Sequence, residues 1–134
     1  MISSLLNSSS IPVLEQVLNF SEARHAVLAG NIANLDTPGY QVHDLSPEKF
    51  QSRLKDAITS MRSGNASSLS GVSSSEALAN AGKGLEDLLY YDGSTGSLEK
   101  QIAAMTKNQM QHNLAVSILG SQFRLLQAAI SEKV

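Results

Sequence analysis

No cysteine occurs among the 134 residues, which removes a disulfide framework, a thiol nucleophile and any zinc site of the cysteine type. Tryptophan is absent as well, and phenylalanine and tyrosine number three each. Aromatic side chains bury the largest areas, so a core here must rest on Leu, Ile, Val, Met and Ala, which suits long packed helices better than a compact sandwich. Excess charge is also lacking: the formal net charge is −2, and nothing indicates a nucleic-acid surface. No window reaches the 18 or so apolar residues of a membrane span, so direct membrane insertion is not expected. Met1-Ile2-Ser3-Ser4-Leu5-Leu6-Asn7 holds no Lys or Arg ahead of its short apolar patch. A cleaved signal peptide is therefore not expected, and any export proceeds by another route.

Catalytic constellations are missing too. The three histidines are scattered, and no Ser/His/Asp spacing suggests a triad; His43-Asp44 reads as a solvated loop pair. Ala81-Gly82-Lys83-Gly84 lacks the hydroxyl residue and the earlier glycine of a phosphate loop. The expectation is a protein that is not an enzyme, with no catalytic, cofactor-binding or metal-binding residues and no cofactor.

What is present is helical patterning in one mainly α domain. Residues 1–36 form the N-terminal helix of the core, with the helix proper over 13–35 behind Pro12, a residue suited to a first turn. Leu14, Leu18, Leu28, Ile32 and Leu35 mark its apolar stripe. Residues 37–61 read as a turn, an extended segment and a short helix. Thr37 precedes proline and leaves the α region, and Pro38-Gly39 fits the centre of a type II turn. Ser46-Pro47-Glu48 opens the short helix, whose apolar face holds Phe50, Leu54, Ile58 and Met61. Residues 62–96 read as a flexible Ser/Gly-rich insert, with room for short helical turns at Glu76–Asn80 and Leu85–Tyr91, separated by Gly82 and Gly84.

The segment 97–134 carries the clearest pattern. Leu98, Ile102, Met105, Gln109, His112, Val116, Leu119, Phe123, Leu126 and Ile130 follow one another at alternating spacings of four and three, the seam of a coiled-coil helix. The economical fold pairs the long N- and C-terminal helices as a coiled coil around a partly extended, flexible central insert.

Charge distribution then points beyond the monomer. Between positions 101 and 130 the charged residues are Lys107 and Arg124 alone, whereas 44–62 holds Asp44, Glu48, Lys49, Arg53, Lys55, Asp56 and Arg62. A helix that is apolar or small on most faces expects burial on most faces. Two helices cannot provide that for each other, so neighbouring copies must complete the burial.

The run Asn31-Ile32-Ala33-Asn34-Leu35-Asp36-Thr37-Pro38-Gly39-Tyr40 resembles the signature of the flagellar axial family of rod and hook proteins. Asp92-Gly93-Ser94-Thr95, Leu98-Glu99-Lys100 and the ending Phe123-Arg124-Leu125-Leu126-Gln127-Ala128-Ala129-Ile130 resemble its proximal-rod branch. The resemblance covers roughly 11–61 and 92–131. It implies a structural subunit of the basal-body rod in the periplasm, polymerising helically through its terminal helices to transmit torque and line the export channel. The implied partners are copies of itself, other rod subunits, a basal-body adaptor, the inner-membrane ring and the flagellar type III export apparatus.

Two local readings stay open at this level. Asn31 and Asn34 either satisfy carbonyls freed at the helix end or bond a neighbouring subunit. Gln109 and His112 fit a polar layer that fixes register better than a metal site, for which His25 is the one available partner. The competing function from another class is a soluble helical adaptor or secretion chaperone, which would form a small oligomer of fixed stoichiometry.

Overall fold

The computed structural model describes residues 9–62, 74–92 and 97–132. Helix α1 (Ile11–Ala33) is followed by strand β1 (His43–Leu45), helix α2 (Pro47–Arg62) and helix α3 (Ser74–Ala81). A 3₁₀ turn (Leu85–Leu88), strand β2 (Leu89–Tyr91) and the 34-residue helix α4 (Leu98–Ser131) complete the chain. The fold is mainly α, with long helices at both ends.

Helix α1 starts two residues before the expected 13 and ends two before 35. Its stop is Asn34 at φ −111° and ψ 10°, whose N–H bonds back to Gly30 and Asn31. The turn that follows is the expected one: the Tyr40 N–H donates to Thr37 O at 3.1 Å, and Gly39 holds φ +77°. Ser46 caps α2, its Oγ accepting from the Lys49 N–H at 3.3 Å.

The second half of the segment read as a flexible insert contains regular elements. Residues 74–92 supply α3, the 3₁₀ turn and β2, because Leu78, Ala81 and Leu88 have apolar surfaces to enter and are all nearly inaccessible. Gly84, at φ +64°, opens the 3₁₀ turn. The remainder of that reading, 63–73 and 93–96, falls outside the described residues. Of the stretch expected to be extended, only β1 forms a strand. It pairs antiparallel with β2 in the register His43 to Tyr91, Asp44 to Tyr90 and Leu45 to Leu89.

The apolar core sits between α1 and these central elements. Phe20, Leu45, Phe50 and Leu88 form one cluster, with Phe20 and Phe50 stacked at 4.2 Å. Ala57, Leu78 and Ala81 form a second, flanked by Val13, Leu54 and Met61. Helix α4 packs on α1, and what it buries there differs in kind.

Candidate assembly interface

The family-like motif becomes a polar knot. Asn31 is fully buried, and its amide uses all four hydrogen-bonding positions. Nδ2 donates to His43 O at 2.6 Å and to Gln101 Oε1 at 3.0 Å, while Oδ1 accepts from the Tyr40 hydroxyl at 3.1 Å and the His43 N–H at 3.3 Å. One side chain thus ties α1, the turn, β1 and α4 together. Asn34 acts locally: Nδ2 donates to Gly30 O at 2.8 Å, and Oδ1 accepts from Thr37 Oγ1 at 3.3 Å. Ile32 is half-buried, and Ala33, Asp36, Thr37 and Pro38 are exposed around the bend.

One residue of the same neighbourhood escapes sequence reasoning. Asp44, read as part of a solvated loop, takes a bidentate grip from Arg24: Nε to Oδ1 at 2.9 Å and NH2 to Oδ2 at 2.8 Å. Both side chains are largely buried. Donating to this carboxylate raises the pKa of the Arg24 guanidinium above its ordinary value, against the opposing effect of burial. Burial likewise pushes the Tyr90 phenol up. Only the scarcity of charge in α1 hinted that Arg24 had a dedicated partner.

The α4 side chains buried most deeply against α1 are polar or small. The α4 residues fully buried are Gln101, Asn108 and Ala115, spaced by seven. Asn108 Nδ2 donates to Ser21 O at 2.7 Å, and Ser21 Oγ lies 2.9 Å from His112 Nδ1 while donating to Leu18 O. Ser21, Glu22, His25, Asn108, Gln109 and His112 line a cavity of about 230 Å³ between the two helices. His25 and His112 therefore share a cavity, yet no group of three or more acidic or histidine side chains among the described residues is placed to hold a metal.

The intrachain seam is offset from the apolar one. Met105, His112, Leu119 and Leu126 are half-buried, whereas Leu98, Ile102, Gln109, Val116, Phe123 and Ile130 are exposed. A second outward row holds Met110, Leu114 and Leu125, each more than 60% exposed, with Ile118 at 40%. Leu114 and Ile118 also edge a groove of about 260 Å³ whose opposite walls carry Leu14, Val17, Phe50 and Leu54. Helix α4 is long and apolar enough to cross a membrane by length and composition alone. Its buried amides, however, bond α1, which carries Glu15, Glu22 and Arg24.

These features define a class: an α-helical subunit that ties its two long helices by polar bonds and leaves the larger apolar surface of the second outside. A family model described as flagella basal body rod protein matches residues 18–41, from within α1 through the Pro-Gly turn. The flagellar basal body rod protein FlgB of Salmonella typhimurium is 32% identical over 120 residues, covering 82% of this chain and 84% of that one. Its counterpart in Yersinia enterocolitica is 28% identical over 88% and 90% of the two chains, and that of Bacillus subtilis 25% over 94% and 96%. The chain belongs to the flagellar basal-body rod protein family.

Proposed function

We propose that this chain is a proximal-rod subunit of the flagellar basal body. It polymerises helically through its terminal helices, transmits torque and lines the export channel. One observation carries the reading: α4 turns amides and alanine toward its own α1 and presents Leu98, Ile102, Val116, Met110, Leu114, Ile118 and Leu125 to the outside. That surface is covered by helices of neighbouring copies and sister rod subunits, with Gln109 in the same contact. The motif 31–40 holds the bend that sets how the central elements leave the helical pair. The adaptor, the inner-membrane ring and the type III export apparatus are the further partners, and the working position is the periplasm.

The test combines assembly with motility. Purified protein, concentrated stepwise, is expected to scatter light progressively and to give tubes or open-ended aggregates by electron microscopy. Expression in a flagellated strain lacking its own proximal-rod subunit is expected to restore swimming. A closed oligomer of fixed stoichiometry together with failed complementation would overturn the rod reading in favour of a helical adaptor or secretion chaperone.

A further inference from the structure

Helix α4 carries two open apolar surfaces on opposite sides. One is the wall it lends to the groove of about 260 Å³, where Leu114 and Ile118 stand across from Leu14 and Val17 of α1 and Phe50 and Leu54 of α2. No residue lining that groove is charged. Leu14, Val17 and Leu54 are only half-buried, so its walls still reach water. The other surface is the row Ile102, Gln109, Val116 and Phe123, spaced by seven along the helix. Every member of this row is exposed, the apolar ones by 47–51%. Val116 stands two positions from both Leu114 and Ile118, about 160° round the helix from each.

The two surfaces suit each other, yet they cannot meet within one chain, because a single helix holds them facing apart. Neither brings a charge that would have to be desolvated on contact. Their polar members match as well: the exposed amides Gln51 and Gln111 line the groove, and the exposed amide Gln109 interrupts the ridge. Size is also compatible. An apolar cavity of about 150 Å³ admits benzene, so the groove has room for Phe123, the largest side chain of the ridge. Each chain carries one groove and one ridge, so identical copies joined in succession cover both. The uncharged lining offers no charge by which to select a partner of different chemistry.

We propose that the groove between α1, α2 and α4 receives the ridge Ile102–Gln109–Val116–Phe123 of a second copy, joining subunits head to tail. The inference rests on the rod reading and deepens it. The receiving surface includes the central helix α2, so the contact between copies is not confined to the terminal helices. It also divides the labour of α4: one side inserts into a neighbour, and the other helps to receive one.

Two full-length variants test it, each blocking one surface: Val116→Lys with Phe123→Lys on the ridge, and Gln51→Lys with Leu114→Lys at the groove. All four positions are exposed, so both variants are expected to keep the parent's helicity by circular dichroism. Should one fail to fold, Ile102→Lys with Phe123→Lys or Gln51→Lys with Ile118→Lys replaces it. Each variant alone is expected to sediment as a monomer at concentrations where the parent assembles. An equimolar mixture keeps one intact groove and one intact ridge per pair. It is expected to give a 1:1 dimer and nothing larger, at least about a hundredfold tighter than self-association of either variant. A dimer of either variant alone, a mixture that stays monomeric, or a parent that never associates would each overturn the contact. Swimming restored by the parent while the mixture stays monomeric would remove this contact and leave the rod reading in place. A 1:1 dimer together with failed complementation would support the contact and count against the rod reading alone.

Discussion

At Asn31 a single amide meets four partners in a site closed to water. Removing it leaves the Tyr40 hydroxyl, the His43 N–H and C=O and the Gln101 amide short of partners at once, and each buried orphan carries a desolvation cost. Asn31→Ala is expected to lower unfolding free energy by about 2–4 kcal/mol, read from the urea midpoint of the helical signal. Arg24 offers a second case with a different cause. Its loss strands the Asp44 carboxylate, which among the described residues keeps the Leu45 N–H at 2.7 Å. Arg24→Leu is expected to cost about 2–4 kcal/mol, and adding Asp44→Leu to recover at least half of it, since removing both charges also removes the desolvation penalty. Additive losses in that double-mutant cycle would mean that the pair contributes nothing through its mutual contact.

At the scale of elements, glycines separate two kinds of constraint. Gly39 holds φ +77° and a Cβ there meets nothing within 4 Å, so its requirement is conformational rather than spatial. Gly39→Ala is expected to cost about 1 kcal/mol, and Gly39→Asn less, because asparagine tolerates the left-handed region. Gly120 sits in the interior of α4 with open space around it, and Gly120→Ala is expected to stabilise the helix by about 0.8–1 kcal/mol, visible as a higher thermal midpoint of the isolated chain.

The same scale explains what the sequence could announce. The long helices, the Pro-Gly turn and the Ser46 cap were legible because each rests on local backbone rules. Strands β1 and β2 were not: each has three residues, and they pair across nearly fifty positions, from His43 to Tyr91. Helix α3 was legible only as a short helical turn over Glu76–Asn80, because its burial depends on surfaces that α1 and α2 provide. The register of α4 against α1 was hidden for a further reason. Hydropathy marks the apolar row, but the residues that face α1 are Gln101, Asn108 and Ala115, whose role shows only once Asn31 and Ser21 stand opposite them. Of the site, the motif residues could be singled out from their order in the chain, whereas the Arg24–Asp44 pair leaves no local mark.

For the whole molecule, the two sides of α4 make separable demands. The inner side holds the subunit together through hydrogen bonds, which break when one partner is lost. The outer side contributes little to the isolated chain, since Met110, Leu114 and Leu125 already face water. A charged residue there costs the monomer almost nothing, yet in an assembly it must be desolvated against an apolar neighbour without a partner, which is prohibitive. Leu114→Lys with Leu125→Lys is therefore expected to leave helicity and the urea midpoint within about 0.5 kcal/mol of the parent. It is expected at the same time to abolish concentration-dependent scattering and complementation of swimming. Asn108→Ala is expected to do the reverse at the first step, weakening the monomer by about 1–3 kcal/mol through the orphaned Ser21 carbonyl. If the double lysine variant swam and assembled normally, the outer face of α4 would not be the surface through which subunits meet, and the side bearing Leu98, Ile102 and Val116 would have to carry assembly alone.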